Sequence, residues 1–390
     1  MEQTAGKQPN YFMYFPGNYR WSAEMLGILS TAPYGGAELS EVDRIGRKLR
    51  DHVGDDNAWF WAWREGGDRL RVRAEQAEAK GHALTAASVY LRACAHYQHA
   101  DHFRHPKDEH AITVFRQSLD CFRKYMALAD NPRIEAIEIP YENSALPAYF
   151  IHAQNTEARR PPCIVRFGGF DTQKELQYLR GIPALVRRGF SCLLVDGPGM
   201  GECLRFRGMY LRHDYEVVGT ASLDYLATRT DVDMTRVGVI ALSLGGYFAP
   251  RCAALDRRFK VCIAWGAMWD FHEVWQRRYL PRLKEASLSV PADHLLWVFG
   301  VKTFEEALKR LEGFHLDGIA QKLQCPFLLT HGTDDEQVPL SDAQKLFDAV
   351  SSKDKTFRIY TPDEGGAQHC QRDYLTLACD DMMDWLEEKL

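Results

Sequence analysis

Three residues of this chain, Ser243, Asp335 and His369, are of the types that together turn a weak nucleophile into a strong one. A serine hydroxyl attacks a carbonyl at neutral pH only if a base takes its proton. An imidazole does this best when a carboxylate fixes its tautomer and stabilises the imidazolium. Each of the three follows an apolar run. Ser243 interrupts "VIALSLGGYFAP" where a strand-like segment gives way to helix formers, so a sharp turn should expose its hydroxyl and aim the next backbone N–H groups at the same point. The motif is small-x-Ser-x-Gly with Ala241 at the first position, and alanine adds one methyl group to the usual glycine. Asp335 lies in "HGTDDEQVP", with Asp334 as its immediate competitor, and His369 lies in the glycine-containing "TPDEGGAQHC". The developing oxyanion needs N–H donors. Leu244, directly after the serine, is one, and Phe170 in "RFGGFDTQKE" is the other, because Gly168 and Gly169 let that backbone come close.

Such residues need a scaffold that brings distant turns together, and the pattern of the chain supplies one. Short apolar segments at 133–140, 146–152, 163–167, 192–195, 237–242, 260–265, 327–330 and 356–360 read as strands. The first two are separated by a hairpin-length turn, and the later ones by helical stretches. That order predicts an α/β fold with a mostly parallel eight-stranded sheet, in which ligands bind beyond the carboxyl ends of the strands. Residues 22–129 are helical in period instead: Ile112, Phe115, Leu119, Phe122 and Met126 fall on one face of "HAITVFRQSLDCFRKYMALAD", and Gly81 breaks an earlier alanine-rich pair. The expected division is a helical domain over 1–131 and a catalytic domain over 132–390. Residues 268–321 are too long for one crossover and form a helical cap excursion that, with the N-terminal helices, roofs the site.

Composition excludes several other classes. A net charge of -5 over 390 residues, without basic clusters interleaved with aromatics, speaks against nucleic acid as a partner. No apolar run is long enough for a membrane span, and the first residues lack a signal-peptide pattern, so the expectation is a cytoplasmic protein away from membranes. Ten scattered cysteines without a C-x-x-C pair read as reduced core thiols. His96, His99, His102, His105 and His110 in and after "HYQHADHFRH" have two readings, metal ligands on one face or exposed and capping residues at a helix end; no carboxylate stands at a matching offset, and no metal is expected. Of the tryptophans, Trp269 and Trp275 are candidate walls for an aromatic substrate, and the "WFWAW" of Trp59, Trp61 and Trp63 is either core or a subunit contact.

The order Ser243, Asp335, His369 is that of the α/β-hydrolases. "FGGFDTQKE", "VDGPGMGE", "LSLGGYFAPR", "CIAWGAMWDF", "HGTDDEQVP" and "EGGAQHC" together resemble the 2,6-dihydroxypseudooxynicotine hydrolase group of that fold, with the fungal polyketide-shortening hydrolases and FrsA-like esterases as wider kin. The resemblance runs by motif over 133–390. It implies hydrolysis of a carbon-carbon bond beside a ketone in a 1,3-dicarbonyl or acylated aromatic substrate, no metal or organic cofactor, and a homodimer. It also implies that the acidic residue after the double glycine, here Asp171 in place of the usual glutamate, acts on the substrate or donates a proton; the other reading of Asp171 is a helix N-cap. Gly169 and Asp171 are thus expected at the substrate. The same three residues would hydrolyse a small hydrophobic ester or lactone, or serve a non-hydrolytic cyclase that uses only the histidine.

Overall fold

The computed structural model describes residues 11–282, 290–291 and 293–390. Strands β1 (Ile134–Tyr141), β2 (Ser144–Ile151), β3 (Cys163–Phe167), β4 (Ser191–Val195), β5 (Val237–Leu242), β6 (Val261–Trp265), β7 (Phe327–Gly332) and β8 (Lys355–Tyr360) form one sheet, in the order β1-β2-β4-β3-β5-β6-β7-β8. β2 pairs antiparallel with β1 and with β4, and all other neighbours are parallel. Each face buries its own core: Val237, Val239 and Ala241 of β5 enter one, and Ile240 and Leu242 the other. That is why β5 reads as an apolar run without polar alternation.

Before the sheet come α1 (Tyr19–Leu29), α2 (Leu39–Leu49), α3 (Asp56–Ala79), α4 (Ala83–Phe103) and α5 (Glu109–Leu128). Asp55 and Asp108 start α3 and α5 by accepting backbone N–H groups of the first turn, which the helix itself leaves unsatisfied. α4 is buried from Val89 to Asp101, and its alanines let its neighbours approach closely. Trp21, Trp59 and Trp63 form a buried row with ring centroids 4.8 and 5.5 Å apart. Two of the three tryptophans of "WFWAW" are therefore core, and only Trp61, 42% exposed, is free for a subunit contact. Phe122 of α5 stacks on Tyr149 of β2 at 5.0 Å, so the helices share a core with one face of the sheet.

The excursion after β6 is less regular than expected. Its described parts are short helices at Phe271–Val274, His294–Phe299 and Phe304–Leu311, with a π-helical turn at Trp275–Tyr279. Residues 283–289 and 292 of the expected cap lie outside the described ones. All ten cysteines are free thiols, nine of them buried. Among the described residues no helix is long and apolar enough to cross a membrane.

Candidate active site

β5 ends at Leu242 and a helix begins at Gly245, which leaves Ser243 in the bend. Its φ is +60°, a left-handed value that serine rarely adopts. Hydrogen bonds hold it there: Ser243 N–H donates to the Trp265 carbonyl at 2.9 Å, and Gly246 N–H donates to the Ser243 carbonyl at 2.7 Å. A Cβ at position 245 would lie 2.5 Å from the Ala241 Cβ. The methyl group at 241 thus fits because position 245 carries none.

His369 brings Nε2 within 2.8 Å of Ser243 Oγ and Nδ1 within 2.7 Å of Asp335 Oδ2. Asp335 is fixed through its other oxygen, which accepts the Gln337 and Val338 N–H groups at 2.8 and 2.9 Å. Asp334 instead accepts from Thr333 Oγ1, so of the two adjacent aspartates it is Asp335 that meets His369. The histidine loop is stapled by Asp373, whose carboxylate accepts from Gly366, Ala367 and Gln368 N–H at 2.8, 3.1 and 3.0 Å. Burial pulls the His369 imidazolium down, but the Asp335 carboxylate more than offsets this and sets its pKa above the ordinary histidine value. Burial raises Asp335 in turn, and His369 overrides that to hold it at about 2. A second histidine, His331, lies 3.7 Å from Asp335 Oδ2. Its Nδ1 accepts the Ala267 N–H at 3.2 Å, which leaves Nε2–H to donate to the Val338 carbonyl.

The loop after β3 closes over the bend. A Cβ at Gly169 would fall 2.7 Å from the Leu242 carbonyl and 2.9 Å from the Ser243 Cβ, so only glycine permits that approach. Among the described residues, neither the Phe170 nor the Leu244 N–H is taken by another group. Asp171 lines the same cavity as Ser243 and does not cap a helix. Gln173, not Asp171, precedes the helix α6 (Lys174–Tyr178). Both Asp171 oxygens are engaged: Arg205 Nη1 donates to Oδ1 at 2.7 Å, and Arg205 Nη2 and His294 Nε2 donate to Oδ2 at 3.1 and 2.8 Å. Burial would raise its pKa, yet Arg205 and His294 hold it well below the carboxylate range, so it stands as an anion and not as a proton donor. Arg205 is shared with Asp101 of α4, which ties the helical region to this loop.

Ser243 and His369 line a cavity whose walls include Phe170, Asp171, Leu244, Phe271 and Trp275. Trp269, expected as a wall, is not among the lining residues; it packs partly buried against the core, and its carbonyl accepts the Leu316 N–H at 3.0 Å. The histidine row is not an exposed helix end either. His96 and His99 are buried in α4 with Nδ1 bonded to the carbonyl four residues back. His99 and His102 instead reach the cavity beside Glu24 of α1, with Arg180 and Arg372. Sequence reasoning missed these last three. The signal available was the i, i+3 spacing of His99 and His102, but the carboxylate that meets them is remote in sequence.

A model of the prolyl oligopeptidase family, Peptidase_S9, matches residues 177–390. The chain belongs to that family. The chain is 31% identical to Hydrolase LUC6 of Fusarium sp, covering 96% of this chain and 97% of the relative. It is 28% identical to 20-hydroxy-prefusarin hydrolase FUS2 of Gibberella moniliformis, over 93% and 95% of the two chains. The crystal structure of 2,6-dihydroxy-pseudo-oxynicotine hydrolase superposes with a TM-score of 0.78 over 93% of this chain and 95% of that one, at 24% identity. This member of the prolyl oligopeptidase family is thus a hydrolase with the α/β-hydrolase fold expected from its sequence.

Proposed function

We propose that the chain is a serine-dependent hydrolase that cleaves a carbon-carbon bond beside a ketone, with Ser243 as nucleophile, His369 as base and acid, and Asp335 as the orienting carboxylate. The observation that carries this reading is the continuous line Ser243 Oγ to His369 to Asp335, at 2.8 and 2.7 Å, facing a cavity with aromatic walls. His369 Nε2 takes the serine proton as Oγ attacks the carbonyl carbon. The oxyanion accepts the Phe170 and Leu244 N–H groups, a contribution of about 2.7–4 kcal/mol per donor in comparable sites. The carbon-carbon bond then breaks, its electron pair passing to the neighbouring ketone as an enolate that His369 protonates. Water, deprotonated by His369, releases the acid from Ser243. The choice of a ketone rests on the motif likeness and on a relative named for 20-hydroxy-prefusarin.

The same atoms would open an ester, so the test is mass-resolved turnover of a 1,3-diketone and a size-matched ester by the wild type and Ser243→Ala. Splitting of the diketone into an acid and a ketone, absent in Ser243→Ala, is the expected result. Cleavage of the ester alone would retain the roles of the three residues and replace the ketone by an ester.

A further inference from the structure

The cavity has a charged end that the hydrolytic chemistry does not use. Glu24 of α1, His99 and His102 of α4, Arg372 of the histidine loop and Arg180, just after α6, meet there. Glu24 is spoken for. Its Oε1 lies 3.4 Å from Arg372 Nη1 and 3.6 Å from His102 Nε2, and its Oε2 lies 4.0 Å from His99 Nε2. Arg372 is further anchored by its Nε–H, which donates to the His369 carbonyl at 3.3 Å. Arg180 is different. Its carbonyl is held by Arg166 Nη2 at 3.1 Å, so its backbone is fixed. Yet among the described residues no carboxylate lies within 4.0 Å of its guanidinium, and the guanidinium donates no hydrogen bond. Two guanidinium charges therefore share one carboxylate, in a wall that faces the serine. Burial and then Arg372 pull the Arg180 pKa down, and Glu24, shared with Arg372, offsets this only in part.

Arg180 is only partly buried and lines the cavity, so its guanidinium can receive a ligand from that side, and a cation without a hydrogen-bonded carboxylate of its own gains from an anion supplied there. Among the described residues that line the cavity, the carboxylates are Glu24 and Asp171, and each already has a cationic partner, so a ligand in the cavity is the natural source of a further counter-charge. We propose that this end of the cavity is a subsite for an anionic oxygen of the substrate, a carboxylate or the enolate of a 1,3-dicarbonyl, with Arg180 as its principal donor and Arg372 beside it. The inference rests on the cavity being the substrate site, and it adds the substrate class: an acyl compound that carries an acidic group away from the carbonyl under attack. Planar Arg–carboxylate pairing is directional as well as strong, so the subsite would also set which carbonyl reaches Ser243.

The test reads binding and not turnover, so it stands apart from the fate of the hydrolase reading. In Ser243→Ala, calorimetry compares monomethyl adipate with dimethyl adipate, and 1-phenylbutane-1,3-dione, at a pH where it is ionised, with 1-phenylbutan-1-one. The acidic member of at least one pair should bind about tenfold or more tightly than its neutral partner. Adding Arg180→Gln should bring that ratio to about one, and Arg180→Lys should keep part of it. The pair that shows the preference identifies the source of the anionic oxygen. Ratios near one in both pairs, or a preference that survives Arg180→Gln, overturn the proposal. Thermal melting of Arg180→Met gives a second readout: a charge with no partner in the ligand-free protein has little to lose, so its Tm should equal or exceed that of the parent. A Tm several degrees lower would mean that the protein itself neutralises Arg180, and the subsite would be withdrawn.

Discussion

Asp334 and Asp335 are neighbours in the chain, and only Asp335 points a free oxygen at His369. We predict that Asp335→Asn lowers kcat on any Ser243-dependent substrate by about 10⁴-fold, the scale seen when a triad carboxylate is replaced elsewhere. Asp334→Asn should change kcat by less than about tenfold, and the reverse ranking would move the role of acid to Asp334. The pH profile gives a second, sharper readout. Asp335 raises the His369 pKa against burial, so the rise of kcat/KM with pH in the wild type should lie above the ordinary 6.5. With the carboxylate removed, the largest influence opposing burial is gone, and the residual activity of Asp335→Asn should rise at a lower pH. Gly169 supplies a third residue-level prediction. Its missing Cβ is what lets this loop, with the proposed donor Phe170 N–H, lie against the Ser243 bend, so Gly169→Ala must push the loop away. Losing one donor this way predicts a fall in kcat of about 10²–10³-fold. An unchanged kcat in steady-state assays would show that the Phe170 N–H does not serve the oxyanion.

At the level of elements, the strands could be read from sequence because burial on both faces leaves an unmistakable apolar run, and the turns after β5, β7 and β8 could be read because Ser243, Asp335 and His369, the residues proposed to react, stand in them. The partners of Asp171 could not. Arg205 comes 34 residues later and His294 comes 123 residues later, while Asp101 sits in a helix before the sheet begins. Helical or strand periodicity describes one element at a time, and a charge pair between three elements leaves no local trace. The same holds for Glu24, which meets His99 and His102 only because α1 crosses α4. The Asp171–Arg205–Asp101 cluster also carries an energetic prediction. All three side chains are buried, so breaking the pair strands a charge, at a cost of about 3–5 kcal/mol. Asp171→Asn and Arg205→Met should each lower the urea midpoint accordingly. The double substitution should cost less than the sum of the singles, because it removes both charges at once. Additive losses in urea denaturation would show that Asp171 and Arg205 act independently.

Over the whole molecule, buried histidines make stability depend on pH in a window that other groups leave nearly clear. Burial lowers His96 to about 3, and His99 and His294 to about 4, against an ordinary 6.5. The unfolded chain therefore takes up protons first as pH falls below 6.5, and the stability these neutral rings hold above that value is lost progressively down to about 4. By pH 5 each should have given up about 2 kcal/mol. His369 has the opposite sign, since its folded pKa is raised. Its contribution is complete below 6.5 and is lost as pH climbs above that value, so between pH 7.5 and 6.5 it opposes the trend by about 1.4 kcal/mol. Glu24, Asp171 and Asp335 have depressed values and lose their contribution only near and below the ordinary carboxylate range. Raised carboxylates such as Asp196, which burial lifts to about 6, gain stability as pH falls and oppose the trend. Asp196 and His369 each contribute about 1.4 kcal/mol by pH 5, against about three times 2 from the neutral histidines His96, His99 and His294. The histidines win, and the urea midpoint should drop clearly between pH 7.5 and pH 5. A midpoint that is flat or higher at pH 5 would place the three imidazoles in contact with water, and the helical layer over the cavity would then be far looser than its packing implies.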